Sequence, residues 1–369
     1  MTRYPFMFAA LILSLVYTDP MSVAHTSTPA NKYGIDWDSI RHVIAFGDSY
    51  TFVQGSHGYP GYSFIGDQLN LGFDAEKLLS NKIIQNKTGT SAGGPNWIEH
   101  LTGCGVKEGL TAPLSCKRSL WNFAFAGAGI SAEHIPLHHP YTIFLVNQIA
   151  QYATYAHPVL TSTSLNTSSS TPTSHDPHDP RKPILSTKET LIAIWIGIND
   201  INDSIDYATP AFYNTLLTTL FASLADLHNL GFRNYLILNL PPLHRTPSNQ
   251  VLPETEQKPN ATAVGWWNSA LKSHSERFER ENPGVNVLLF DAFSVLSGVL
   301  DEPGKYGILN TTSICPGVKE DDVDTGYEGY GCPTPVESYF WYDAGHIGER
   351  VHRVLARVVE RGLRGWKGR

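Results

Sequence analysis

The feature that most constrains the fold is an alternation of short apolar runs with longer amphipathic segments along most of the chain. Runs rich in β-branched and aromatic residues, mostly ending at Gly or Pro, predict buried strands. They cover residues 41–46, 120–126, 190–196, 235–240 and 285–290. Apolar residues at three- and four-residue spacing predict helices over 143–155, 210–230, 263–281 and 347–363. This alternation is typical of an α/β fold with a mostly parallel sheet, which binds ligands beyond the carboxyl ends of its strands.

The N-terminal segment has the pattern of a secretory signal peptide. Arg3 precedes an apolar run over residues 6–16, and small residues follow at 22–24. This pattern predicts a signal peptide at residues 1–24 and a secreted, extracellular protein. The apolar run has 11 residues, whereas a membrane-spanning helix needs about 20. We therefore expect no membrane span.

The remaining residues, 25–369, are expected to form a single domain. Residues at about 157–183 are rich in Ser, Thr, Pro, His and Asp, which predicts a low-complexity surface insertion. His175 and His178 lie in it without an accompanying metal ligand, so a solvated loop is favoured over a metal site. The oligomeric state is left open, with a monomer as the expectation.

Charge and cysteine content limit the function classes. The net charge of -7, without a dense Lys/Arg stripe, argues against nucleic acid as a partner. The four cysteines fall into two pairs, 12 and 17 positions apart, which in an exported chain favours two local disulfides over metal binding. They are Cys104, Cys116, Cys315 and Cys332. Five Asn-x-Ser/Thr sequons predict glycosylation, at Asn86, Asn166, Asn202, Asn260 and Asn310.

Ser49 is the candidate nucleophile. It lies directly after the first predicted strand, in the sequence Gly-Asp-Ser-Tyr at residues 47–50. A serine at a tight strand-to-helix turn exposes its hydroxyl, and Gly47 permits such a turn. The alternative is that Asp48 and Ser49 only cap a helix.

A candidate base and its orienting carboxylate lie near the other end of the chain. Asp343 precedes His346 by three residues. This spacing lets the carboxylate bond to imidazole Nδ1 while Nε2 faces a nucleophile. The backbone amides of Ser49 and Gly127 and the side-chain amide of Asn199, all at predicted strand ends, are candidate oxyanion-hole donors. The alternative for Gly127 and Asn199 is an ordinary turn.

A competing serine is Ser91. Residues 89–93 read Gly-Thr-Ser-Ala-Gly, the Gly-x-Ser-x-Gly pattern of a nucleophile elbow. That elbow requires a hydrophobic strand before it and a helix after it. Residues 83–88 are mostly polar and Gly-Pro follows at 94–95, so the context favours Ser49.

Read together, these segments resemble the SGNH, or GDSL, hydrolase family. Residues 47–50 resemble its first block, Gly127 its second, Gly-Ile-Asn-Asp at 197–200 its third, and Asp-Ala-Gly-His at 343–346 its fifth. Residues 93–97 and 340–343 also resemble the fungal secreted branch, which includes carbohydrate acetylesterases acting on plant cell-wall saccharides. One departure is that Ile347 stands where Pro is usual and Gly345 where a larger residue is common, so the local backbone is expected to differ.

The resemblance implies a flavodoxin-like, three-layer α/β/α sandwich with a five-stranded parallel sheet. It implies Ser49 as nucleophile, His346 as base and Asp343 as orienting carboxylate, with no metal and no organic cofactor. The expected activity is hydrolysis of a small ester or acetylated saccharide through an acyl-enzyme on Ser49.

Two alternatives to this activity stay open. One is a lipase or acyltransferase acting on longer acyl chains, and the other is a non-catalytic carbohydrate-binding glycoprotein on the same fold. The tryptophans Trp97, Trp195 and Trp341 are either substrate contacts or core residues.

Overall fold

The centre of the molecule is a parallel sheet. In a computed structural model, which describes residues 34–67, 74–162 and 183–366, the sheet has five strands. They are β1 (His42–Gly47), β4 (Ser119–Asn122), β5 (Thr190–Trp195), β6 (Asn234–Leu238) and β7 (Asn286–Phe290). Two further strands, β2 (Ile83–Gln85) and β3 (Gly109–Thr111), form a separate antiparallel pair.

The strand order positions the site. The sheet runs β4-β1-β5-β6-β7, with parallel neighbours throughout. Strands β4 and β5 therefore flank β1 on opposite sides, and the direction of winding reverses there. In open parallel sheets ligands bind at such a switch point, beyond the carboxyl ends of the strands. The segment that follows β1 begins at Asp48, directly before Ser49.

Helices cover both faces of the sheet. Helix Pro210–Asn229 packs against Ala261–Glu281 and Leu145–Gln151. Helix Glu349–Gly365 packs against Trp97–Thr102 and Ala292–Asp301, and members of each group contact the sheet. This confirms the predicted α/β/α sandwich. The helices of the described residues are α1 (Ala75–Ser80), α2 (Trp97–Thr102), α3 (Leu145–Gln151), α4 (His157–Thr161), α5 (Ile198–Ser204), α6 (Pro210–Asn229), α7 (Ala261–Glu281), α8 (Ala292–Asp301), α9 (Val323–Gly326) and α10 (Glu349–Gly365).

Some boundaries differ from those the sequence predicts. A π-helical turn, Tyr152–Ala156, joins α3 to α4. The predicted insertion therefore begins later than residue 157, because α4 continues the helical run and buries Leu160. The predicted strand over 120–126 ends at Asn122. Residues 1–24, Asn166, His175 and His178 lie outside the described residues.

The predicted disulfides form within each local pair, as Cys104–Cys116 and Cys315–Cys332. The tryptophans Trp97, Trp195 and Trp341 are at most 1% exposed. All three pack in the hydrophobic core. None of the helices that the structure describes is long and apolar enough to cross a membrane.

Candidate active site

Ser49 lies in a tight turn at the carboxyl end of β1. The N–H groups of Thr51 and Phe52 both donate to the carbonyl oxygen of Asp48, at 3.0 Å each. No helix follows this turn, so Ser49 is not a helix cap. At Gly47, φ is +152° and an added Cβ would lie 2.2 Å from the carbonyl oxygen of Trp195. Only glycine allows β1 and β5 to approach so closely where the turn begins.

The candidate base and carboxylate occupy one turn between residues 340 and 348. The Tyr342 N–H donates to the His346 carbonyl oxygen at 2.8 Å, and Trp341 bridges to Ile347 in antiparallel fashion. The Ile347 side chain is fully buried in the core. Core packing of Ile347 thus anchors the turn where proline is usual in the family. An added Cβ at Gly345 would meet open space, so this glycine is not required by close packing.

The structure brings Ser49, His346 and Asp343 into one hydrogen-bonded chain. His346 Nε2 is 2.7 Å from Ser49 Oγ. On the other side of the ring, His346 Nδ1 is 2.8 and 2.9 Å from the two carboxylate oxygens of Asp343. This geometry matches the arrangement in which a base accepts the serine proton while a carboxylate fixes the imidazole. The three residues are separated by up to 297 positions in sequence.

The surroundings of Asp343 keep it ionised. Burial by itself would raise the pKa of the carboxyl. The hydrogen bond and positive charge of His346, with the N–H groups of Gly345 and His346, outweigh burial and hold the pKa of Asp343 below its ordinary value. Both N–H groups donate to Oδ1 at 2.9 Å. An ionised Asp343 stabilises an imidazolium on His346.

The three candidate oxyanion donors lie at the ends of three adjacent strands. Ser49 follows β1, Gly127 lies beyond β4, and Asn199 is in the first turn of α5 after β5. One side-chain N–H of Asn199 donates to the carbonyl oxygen of Ala128 at 2.8 Å, so the amide is held against the Gly127 segment. Within the described residues, the N–H groups of Ser49 and Gly127 have no hydrogen-bond acceptor. These donors are available to an incoming oxygen.

Two further carboxyl groups lie buried beside this turn. Asp48 is completely buried, and burial followed by the charge of Asp200 raises its pKa to about 8, despite the opposing Tyr50 N–H. Burial raises the pKa of Asp200 to about 7, against the hydrogen bond from the Ile130 N–H. In each residue Oδ1 accepts a backbone N–H, from Tyr50 at 3.0 Å and from Ile130 at 2.9 Å. Sequence reasoning does not reveal this pair.

Two supporting residues also escape sequence reasoning. Tyr50 is 1% exposed, and its hydroxyl donates to the carbonyl oxygen of Gly345 at 2.6 Å. This bond ties the nucleophile turn to the turn that holds His346. Gln148 exchanges two hydrogen bonds with the backbone of Gly47, at 3.0 and 2.9 Å. The signal in the sequence is a glutamine at a predicted buried position of the helix, beside Leu145 and Ile149, but the buried Gln151 shares it.

Other predicted positions lie apart from this site. Ser91 is in a turn between β2 and α2, outside the central sheet. The sequon residues Asn86 and Asn202 are exposed, and Asn260 and Asn310 are partly exposed. In the parts of the chain that the structure describes, no group of three or more His, Cys, Asp or Glu side chains is placed to hold a metal ion.

Comparisons with known proteins indicate which family the chain belongs to. The sequence profile of the GDSL-like lipase/acylhydrolase family matches residues 43–359. An acetylesterase of Thermothelomyces thermophilus is 27% identical over 89% of this chain and 89% of its own length. GDSL esterase/lipase 3 of Arabidopsis thaliana is 24% identical over 41% of this chain and 44% of its own length. GDSL esterase/lipase 2 of the same plant is 25% identical over 45% of this chain and 50% of its own.

The fold and the comparisons define a carboxylic ester hydrolase on an α/β sandwich. The chain belongs to the GDSL-like lipase/acylhydrolase family, whose profile covers most of its length. The resemblance seen in the short blocks of sequence is thereby confirmed.

Proposed function

We propose that this enzyme is a secreted acetylesterase that removes short acyl groups from plant cell-wall saccharides, with Ser49 as nucleophile. The observation that carries the proposal is the unbroken chain from Ser49 Oγ through the His346 ring to Asp343, with 2.7 Å at its first bond and 2.8 Å at its second. The acetylesterase named above, which aligns over most of both chains, supports the acetyl preference.

In the proposed reaction, His346 Nε2 takes the proton of Ser49 as Oγ attacks the ester carbonyl carbon. The N–H groups of Ser49 and Gly127 and the free N–H of Asn199 stabilise the resulting oxyanion. The imidazolium then protonates the leaving alcohol oxygen, which leaves the acyl group on Ser49. Water, deprotonated by His346, attacks the acyl carbon, and the imidazolium returns this proton to Ser49 Oγ as the carboxylic acid is released.

Hydrolysis of p-nitrophenyl acetate tests the role of Ser49. Ser49→Ala is expected to lower kcat by several orders of magnitude, since it removes the nucleophile. Ser91→Ala is the matched control, because Ser91 fits a nucleophile pattern but lies outside the sheet. Equal rates for Ser49→Ala and the unmodified enzyme, or loss of activity only in Ser91→Ala, would refute the assignment.

The length of the acyl chain separates acetylesterase from lipase action. We expect kcat/KM to be highest for acetyl esters in a p-nitrophenyl ester series and to fall steadily toward octanoate. Acetylated xylo-oligosaccharides should also release acetate. An optimum at long chains, or transfer of the acyl group to an added alcohol in preference to water, would support the lipase or acyltransferase alternative.

Secretion and processing belong to the same proposal. We infer that residues 1–24 are removed on export and that residues 25–369 form one domain. The two disulfides support an oxidising destination. The N-terminal sequence and the glycan content of protein recovered from culture medium test this inference, with glycans expected first on the exposed Asn86 and Asn202. Retention inside the cell with an intact N-terminus would contradict it.

A further inference from the structure

A set of aromatic rings borders the proposed oxyanion donors. We call the side chains of Tyr59, Tyr62, His138, His139 and Tyr141 the aromatic ledge. Tyr59 stacks on Tyr141 with ring centroids 4.7 Å apart, and Tyr141 stacks on His139 at 5.2 Å. His138 meets His139 edge to face at 4.8 Å, and Tyr62 meets Tyr141 edge to face at 5.0 Å. The rings form a continuous row from His138 to Tyr59.

One end of the ledge lies against the candidate site. A Cβ added to Gly127 would lie 3.0 Å from Cδ2 of His138, so the imidazole lies directly over this glycine. His138 Nδ1 is also 3.5 Å from a carboxylate oxygen of Asp203, on the helix that carries Asn199. The Tyr62 carbonyl oxygen accepts the Ala126 N–H at 2.9 Å. The ledge therefore starts at the oxyanion donors.

The ledge is exposed at both ends. Tyr59 is 40% exposed and the His138 side chain is 43% exposed. Exposed aromatic rings that adjoin one another beside a functional site are a common mark of ligand binding, whereas single exposed apolar residues are normal. The exposure also argues against an acyl-chain site, because burying an alkyl chain requires an enclosed, water-free pocket.

From this placement we propose that the aromatic ledge binds the alcohol half of the substrate, as a neutral saccharide. A pyranose ring offers an apolar face of C–H groups to a tyrosine ring, while its hydroxyls bond to tyrosine O–H and imidazole groups. Asp203 is the one carboxylate in the contacts above, and it pairs with His138. The other ledge contacts join aromatic rings, which suit an uncharged ligand. The inference rests on the proposed function, because it names what the ester is attached to.

The test measures binding separately from catalysis. Unacetylated xylotetraose is titrated into the Ser49→Ala protein and the Kd is compared with that of ledge variants in the same background. Tyr59→Ala combined with Tyr141→Ala is expected to weaken binding about tenfold, since each ring contact contributes a modest share. The matched control is Tyr207→Ala, which removes a ring 54% exposed that contacts Phe212 instead. It is expected to leave the Kd of xylotetraose within twofold.

A second variant tests the proposal in case the double substitution prevents folding. Tyr59→Leu retains apolar volume but removes the flat ring, and should still weaken binding severalfold with an unchanged Tm. An unchanged Kd in folded ledge variants, an equal loss in Tyr207→Ala, or binding of p-nitrophenol in place of xylotetraose would overturn the proposal. If xylotetraose does not bind the Ser49→Ala protein at all, while hydrolysis of p-nitrophenyl acetate depends on Ser49, the ledge proposal alone is overturned. If xylotetraose binds as expected but the Ser49→Ala protein still hydrolyses p-nitrophenyl acetate, the proposed function is overturned instead.

Discussion

Two kinds of carboxyl group lie at the carboxyl edge of the sheet, and their surroundings give them opposite properties. Asp343 faces an imidazole and two backbone N–H groups, and its pKa is lowered. Asp48 and Asp200 are fully buried, each has one side-chain oxygen without a hydrogen-bond partner among the described residues, and their pKa values are raised to about 8 and 7. Proximity to the nucleophile therefore does not by itself define a catalytic carboxylate. Pairing with His346 does.

The largest effect is expected when Asp343 loses its charge. Asp343→Asn keeps the size of the side chain but no longer holds the imidazole in the required tautomer or stabilises the imidazolium. By analogy with serine protease triads, kcat should fall about 10⁴-fold. Steady-state kinetics on p-nitrophenyl acetate measures this fall. A kcat within tenfold of the unmodified enzyme would show that Asp343 is no more catalytic than Asp48.

The next largest effect is expected at Asn199. Asn199→Ala removes one oxyanion donor and should lower kcat about 100-fold to 1000-fold with a smaller change in KM. Asn202→Ala, three residues later on the exposed side of α5, is the control and should keep its activity. If both variants lose the same activity, the loss reflects damage to α5 and not removal of a donor.

A smaller effect is expected at Tyr50, which acts on His346 through the backbone. Burial, then the charges of Asp343 and Asp48, raise the pKa of Tyr50 well above its ordinary value, so the hydroxyl stays a donor to Gly345. Tyr50→Phe removes this bond and should lower kcat about fivefold with KM unchanged, since one neutral hydrogen bond contributes about 1 kcal/mol. An unchanged kcat would show that the turn holding His346 needs no such support.

The smallest effect on turnover is expected for Asp48→Asn, but this variant should change how stability depends on pH. Folding raises the pKa of Asp48 from 3.8 to about 8, so the folded protein keeps a proton that the unfolded chain releases above pH 4. The stabilising contribution is complete below that pH and is lost as pH rises through about 8. Between these two pKa values, the contribution of Asp48 to the free energy of unfolding falls by about 1 kcal/mol per pH unit.

Unfolding midpoints measured from pH 4 to 8 check this expectation for Asp48. The difference in midpoint between Asp48→Asn and the unmodified enzyme should shift in favour of the variant as pH rises from 4 to 8, because the variant lacks the contribution that Asp48 loses over this range. Asp343 has the opposite sign, because its lowered pKa gives a contribution that is present above pH 4 and lost in acid. Parallel curves for the unmodified enzyme and Asp48→Asn would contradict the raised pKa of Asp48.

The sequence predicts those parts of the site whose residues lie together in one short segment of the chain. Ser49 follows an apolar run that reads as a strand, and Asp343 and His346 share one four-residue segment, so each appears as a short pattern. The parallel sheet is predictable for the same reason, because fully buried strands leave continuous apolar runs. Helix α5 was not predicted, since its sequence, Ile-Asn-Asp-Ile-Asn-Asp-Ser, is mostly polar and begins directly after a glycine.

Hydrogen bonds between residues far apart in the chain leave no local pattern in the sequence. The Tyr50 hydroxyl meets Gly345 across 295 positions, and Gln148 meets Gly47 across 101. Asp200 Oδ1 accepts a hydrogen bond from the Ile130 N–H across 70 positions. Each of these bonds depends on which strand ends become neighbours in the sheet, which only the tertiary fold decides. The raised pKa values of Asp48 and Asp200 likewise arise from burial, which the residue types alone would not suggest.

The most direct test of Ser49 as the nucleophile is covalent labelling. The enzyme is treated with a p-nitrophenyl alkylphosphonate, digested and analysed by mass spectrometry, alongside the Ser49→Ala and Ser91→Ala variants. We expect one phosphonyl group per chain, on Ser49, in the unmodified enzyme and in Ser91→Ala, and none in Ser49→Ala. A label on Ser91, or full labelling of Ser49→Ala, would contradict it.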